Sequence, residues 1–143
     1  MAVDRPYLVD KSAWEQQRYD ERARRRLAEL RRTGQFSVCV VSVAEILYSA
    51  RSAVEFGRVR ELFAPLPYLG ITDDAERQVI EVMAALARRG QHRMPIPDLM
   101  LAAIAHAHRA VVLHYDADFE RIADVTGQKH EWIVPHRTGH GGR

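Results

Sequence analysis

Tyr7-Leu8-Val9 runs straight into Asp10, and a helical pattern begins almost at once after it. A short apolar run of this kind reads as a buried strand, and the acid at its end is delivered to the C-terminal edge of a sheet. In open α/β sheets that edge is where ligands and chemistry sit. Taken alone, Asp10 reads first as the N-cap of the next helix. What constrains the fold is that the chain repeats the pattern.

In chain order, Ala13 to Arg32 reads as helical, with a break near Tyr19-Asp20 and a stop at Thr33-Gly34. Phe36 to Val41 is β-branched and apolar, hence a second buried strand, and Ser42 with Glu45 matches a capping box for the helix that follows. A helix over Ala53 to Phe63 ends at Pro65-Leu66-Pro67. Tyr68 to Ile71 is a strand candidate, and Thr72 caps a long helix from Asp73 to Arg89. Gly90 to Pro97 is a loop, and Asp98 opens an apolar helix. Ala110 to Leu113 is a further buried strand, followed by Tyr115-Asp116-Ala117-Asp118. A short helix from Phe119 to Asp124 then leads to a last strand near Trp132 to Val134, with His130 in the loop before it. Strands alternating with helices predict an α/β domain with a mostly parallel sheet. One domain is expected over 1–135, with a flexible tail over 136–143.

Composition excludes more than it selects. No apolar run approaches the roughly 20 residues of a membrane span, and Met1 to Pro6 offers no signal-peptide core, so a cytoplasmic chain is expected. The single cysteine, Cys39, lies in an apolar run and reads as a small buried hydrophobe. His106 and His108 are two apart and cannot chelate as helical i, i+4 partners, so a zinc site is not expected. Net charge is only +2, but seven arginines fall between Arg18 and Arg32. Helical spacing groups Arg18, Arg22, Arg25 and Arg32 on one face, opposite a core stripe of Tyr19, Ala23, Leu27 and Leu30. That arginine face suits phosphate oxygens and is an RNA-binding candidate; the bland reading is a solvated charged surface.

Carboxylates recur at element edges: Asp10, Glu45, Asp98, and Asp116 with Asp118. Each has an ordinary explanation as a cap, a dipole partner or a turn residue. Brought together at one sheet edge they would repel, unless a hard divalent cation with a preference for oxygen ligands lay between them.

The stretches LVDKSAW, SVAEILYSAR, PIPDLMLAAIA and VLHYDADFERIA, in this order and over nearly the whole chain, resemble the four acidic motifs of PIN-domain ribonucleases. More narrowly they resemble the VapC toxins of bacterial toxin–antitoxin modules. The resemblance implies a PIN-like three-layer α/β/α sandwich around a central, mostly parallel sheet, and a Mg²⁺- or Mn²⁺-dependent endoribonuclease. By motif position it implies Asp10, Glu45, Asp98 and Asp116 as the catalytic, metal-binding quartet. Asp118 becomes an auxiliary metal ligand, and Ser12 the residue that orients Asp10 or a water. Lys11 and His114 depart from the family pattern, standing where many members carry a hydroxyl. The implied partners are RNA, a VapB-like antitoxin touching Trp14 and Tyr48, and a second copy in a homodimer, with no membrane. Two rival readings stand beside this one: a PIN fold that only binds RNA or protein, and a receiver-like phosphoacceptor domain. The second is disfavoured because neither Lys11 nor Lys129 is placed as such a domain requires.

Overall fold

The computed structural model describes residues 4–137 and Gly139, so of the tail expected from residue 136, positions 138 and 140–143 lie outside the described residues. The elements are β1 (Tyr7–Val9), α1 (Lys11–Gln16), α2 (Glu21–Arg32), β2 (Phe36–Ser37), α3 (Val40–Tyr48) and α4 (Ala53–Phe63). There follow α5 (Asp73–Ala87), α6 (Ile96–Ala107), β3 (Val111–His114), α7 (Asp118–Thr126) and β4 (His130–Trp132). The four strands are all parallel in the order β2-β1-β3-β4.

The strands are two to four residues long, and their alternation divides the core. Leu8 of β1 and its register partner Val112 of β3 face one way, into a layer built from α5, α6 and α7 through Leu86, Leu99, Ile104, Phe119 and Ile122. Val9 and its partner Leu113 face the other way, toward Ala13, Ala23, Leu27, Ile46 and Phe63 on α1 to α4. Period-two alternation in a sheet buried on both sides therefore produces the three layers expected.

Several boundaries depart from the sequence reading. The apolar run after Phe36 pairs as strand only through Ser37; Val38 makes one bridge to Tyr68, and a helix begins at Val40. Ser42 is thus the third residue of α3 and not its cap. Its hydroxyl accepts from the Cys39 N–H and donates to the Cys39 carbonyl, both at 3.1 Å, which closes the first turn from within. The capping box with Glu45 does not form. Tyr68 to Ile71 contributes that single bridge and no strand.

The early helix is two helices. Asp20 caps α2 by accepting from the Arg22 N–H at 2.9 Å, so the expected break is real. It takes Arg18 off the helix that carries Arg22, Arg25 and Arg32, and the single four-arginine face does not form. Tyr19 leaves the core stripe for the same reason and is 58% exposed, while Ala23, Leu27 and Leu30 are buried as expected. Thr72 caps α5 through the Ala75 N–H at 3.1 Å, and Cys39 is fully buried. The last strand sits two residues earlier than expected, which places His130 inside the sheet.

Candidate active site

Parallel strands put the turns after β1 and β3 side by side. The Asp10 N–H donates to the Leu113 carbonyl at 2.9 Å, extending the ladder to the last residue before α1. The Asp10 carboxylate accepts from the Ser12 hydroxyl at 2.6 Å and the Ser12 N–H at 3.0 Å. The same hydroxyl accepts from the Tyr115 N–H at 2.8 Å. Ser12 therefore ties the two acid-bearing turns together, and both readings of Asp10 hold at once: it caps α1 and it sits at the sheet edge.

Asp116 is fixed from both sides. Its N–H donates to His114 Nδ1 at 3.1 Å, and its carboxylate accepts from the Asp118 N–H at 3.0 Å. Because His114 Nδ1 accepts, its Nε2 carries the proton and donates to His130 Nδ1 at 2.9 Å. The imidazole is fully buried between Phe119 and Trp132, with ring centroids 5.0 and 4.8 Å away. Burial drives its pKa down to about 3, with His130 and His136 adding to the effect, so it stays neutral as this network requires. Trp132 in turn stacks on His136 at 4.1 Å. Nothing local in the sequence signals the role of His130, because its partner stands 16 positions away.

The remaining acids enter from two helices that pack against each other, α3 and α6. Glu45 stands in the second turn of α3. Asp98 is the third residue of α6, whose first turn is preset by Pro95 and Pro97. Carboxylate oxygens of Asp10, Glu45 and Asp98 lie within 4.8 Å of one another, as do those of Asp98, Asp116 and Asp118. Asp98 belongs to both groups and is the hub. All but Asp118 line a cleft of about 450 Å³, together with Lys11, Ser12, Tyr19, Pro95 and Tyr115.

This arrangement is costly for negative charge. Asp10, Asp98 and Asp116 are buried, at 4%, 8% and 8% exposure. Burial raises the Asp98 carboxyl to about 8, with the charges of Asp10, Asp116, Asp118 and Glu45 adding to it. Burial also raises Asp10, against the hydrogen bonds from Ser12, and raises Glu45 despite Lys11 nearby. The Lys11 ammonium donates to the Ser49 hydroxyl at 2.9 Å, on the Glu45 side of the cleft. Buried acids that share one space and offer only oxygen fit a hard divalent cation.

The other expected sites lie apart from this cleft or at its margin. Arg18 pairs with Glu15 at 3.3 Å, Arg22 with Asp20 at 2.6 Å, and Arg25 with Glu21 at 3.7 Å; Arg32 is exposed at the end of α2. Trp14 packs against Phe36 and Phe63, with centroids 6.2 and 4.9 Å away, and lines a hollow of about 350 Å³ with Leu27 and Leu62. Tyr48 is 89% exposed, beside Lys11 and Glu45. Among the described residues, no helix is long and apolar enough to cross a membrane.

Comparison with known proteins converges on one group. The model of the PIN domain matches residues 7–125. Ribonuclease VapC51 of Mycobacterium tuberculosis is 38% identical over 133 residues, covering 92% of this chain and 96% of that protein. Ribonuclease VapC21 of the same species is 39% identical over 132 residues, covering 90% and 94%. Among solved structures, DNA-bound VapBC from Salmonella typhimurium superposes with a TM-score of 0.75 at 21% identity, over 92% of this chain and all of that one.

Proposed function

The chain belongs to the PIN-domain family and within it to the VapC ribonucleases, and we propose that it is a metal-dependent endoribonuclease toxin held in check by a VapB-like antitoxin. The observation that carries this reading is the gathering of five carboxylates, three of them buried and Asp98 common to both groups, at the edge where β1 and β3 end. Asp10, Asp98 and Asp116 are the proposed ligands of Mg²⁺ or Mn²⁺, with Asp118 as an auxiliary one. A bound ion of this kind lowers the pKa of a coordinated water and offsets charge on the scissile phosphate. Glu45, half-buried on the Lys11 side of the cleft, orients the attacking water and accepts its proton. Ser12 holds Asp10 and the Tyr115 turn in register, and the His130–His114 pair holds Asp116 through its backbone. Hydrolysis by water leaves 5′-phosphate and 3′-hydroxyl ends and does not use the 2′-hydroxyl.

RNA is the proposed substrate, in the cytoplasm. Arg18, Arg22, Arg25 and Arg32 contribute weak outer phosphate contacts, since three of the four already serve a carboxylate. The antitoxin is proposed to lie over Trp14 and Tyr48, and the toxin to pair with a second copy. Light scattering of the free chain and of a co-expressed complex tests both associations.

The deciding experiment is cleavage of a broad RNA pool with Mg²⁺ or Mn²⁺, against EDTA and Asp98→Asn controls, with product ends mapped. Cleavage that needs both metal and Asp98 and leaves 5′-phosphates is the expected result. Cyclic 2′,3′-phosphate ends, or full activity in EDTA, would overturn the mechanism.

A further inference from the structure

A second hollow, of about 630 Å³, opens beside the acidic cleft, lined by Gly90 to Pro95 and by Asp118 and Arg121. The two hollows share Pro95, and Asp118 lines this one while its carboxylate belongs to the acidic group around Asp98. We propose that this hollow is a phosphate subsite for the RNA strand flanking the scissile linkage, with Arg93 and Arg121 as its cations and His92 at its rim. The proposal rests on the nuclease reading above and adds a direction in which the substrate leaves the cleft.

The electrostatic argument is local. A polyanion that brings one phosphate to five carboxylates must carry its neighbouring phosphates past them, and each is repelled unless a cation stands at the border. Arg121 stands there. Its Nη1 donates to Asp118 Oδ1 at 2.6 Å, which pins the guanidinium at the junction of the hollows while its side chain stays half exposed. A guanidinium has five N–H donors, and this bond uses one. Arg93 and His92 are exposed and make no ion pair among the described residues. Arg93 differs in this from the arginines of α2, where Arg22, Arg24 and Arg25 each pair with an acid on or beside their own helix, as Arg121 does with Asp118.

The loop that presents Arg93 is anchored at both ends. Gly90 turns the chain out of α5 with a φ of +68°, a conformation that favours glycine, and the Gln91 N–H donates to the Leu86 carbonyl at 2.8 Å. At the far end Met94 is buried in the layer beneath α5 and α6. Arg93 is thus held between two fixed points, which limits the ordering cost of a phosphate contact.

The test separates binding from cleavage. In an Asp10→Asn background, affinity for an oligouridylate of about twenty nucleotides is measured by fluorescence anisotropy across a salt series. Arg93→Ala with Arg121→Ala is expected to weaken binding about tenfold, and to lower the slope of log affinity against log salt by about 1.4, at about 0.7 per phosphate contact. Lysine at both positions should recover most of the affinity. Arg60→Ala, on α4 and outside both hollows, should change neither quantity. Unchanged affinity and slope in the alanine pair, or an equal loss in Arg60→Ala, would overturn the subsite. If the intact chain cleaves no RNA and the alanine pair still loses binding, the nuclease reading fails, and what stands is the phosphate contact of Arg93 and Arg121 without a scissile linkage beside it.

Discussion

Helices α2 and α6 carry charge in opposite ways. α2 holds six arginines and two glutamates, all but Arg26 exposed, and most of these charged groups find an opposite partner within a turn. α6 presents one acid, Asp98, buried among four other carboxylates. By count, α2 is the conspicuous feature of the sequence. By energy it is ordinary, because exposed ion pairs contribute little and are screened. The lone acid of α6 is the strained one. Charge density along a chain is thus a poor guide to function, whereas a charge buried against its own sign has to be explained by something that binds it.

The contrast can be pressed hardest at Asp98. Asp98→Asn should lower metal-dependent RNA cleavage by about a thousandfold, the scale of losing the ion's charge stabilisation. Above about pH 8, where Asp98 is ionised in the metal-free protein, the same change should raise the melting temperature, because it removes a buried like charge. A variant both inactive and less stable would mean that Asp98 is a structural residue and that the contrast with α2 is false.

pH sharpens the comparison next. The folded protein keeps the Asp98 proton up to about pH 8, whereas an unperturbed carboxyl releases it near 3.8. Between those values the folded state binds more protons than the unfolded chain. The associated stability is fully present below about pH 4 and is lost as pH rises through about 8. Each tenfold difference in proton affinity between the folded and unfolded chain is worth about 1.4 kcal/mol, so denaturant titrations of the metal-free protein should lose a few kcal/mol across this range. A divalent cation should remove most of the slope, and a flat profile without metal would contradict the buried-charge picture.

A smaller effect is expected at His114→Ala, which leaves a cavity between Phe119 and Trp132 and strips the Asp116 N–H of its acceptor. A cost of about 2–3 kcal/mol follows. His114→Asn, which offers an oxygen where Nδ1 stood, should recover more of the activity than of the stability. The smallest effects belong to α2. Arg25→Ala and Arg32→Ala should each change stability by less than about 0.5 kcal/mol and cleavage by about twofold or less. A large loss of RNA affinity at either would restore the arginine surface as the main nucleic-acid contact.

Much of this was legible in the residues. Tyr7 to Val9 before Asp10 and Ala110 to Leu113 before Asp116 announced two buried strands leading into acids, and Thr72 and Asp20 announced their helices. Long-range pairing was not legible. Val38 to Val41 is β-branched and reads as strand, yet packing of Val41 and Ile46 on opposite sides of the sheet takes Val40 onward into a helix, because tertiary contacts outweigh a weak local preference. Tyr19 kept helical spacing with the core stripe, but the Asp20 cap ended that helical phase beneath it. The Ser12–Tyr115 and His114–His130 bonds join turns and strands whose neighbours in sequence give no hint of each other.

The Ser12–Tyr115 bond also bears on how the protein is made. It joins positions 103 apart, and β1 finds β3 only across that span. Pairing of parallel strands over so long a separation is among the slower steps of folding. Asp10, Glu45 and Asp98 therefore have no complete cleft to line until the segment bearing Asp116 has been made and has docked on β1, and a chain cut before β3 should hold three of the five acids without the site.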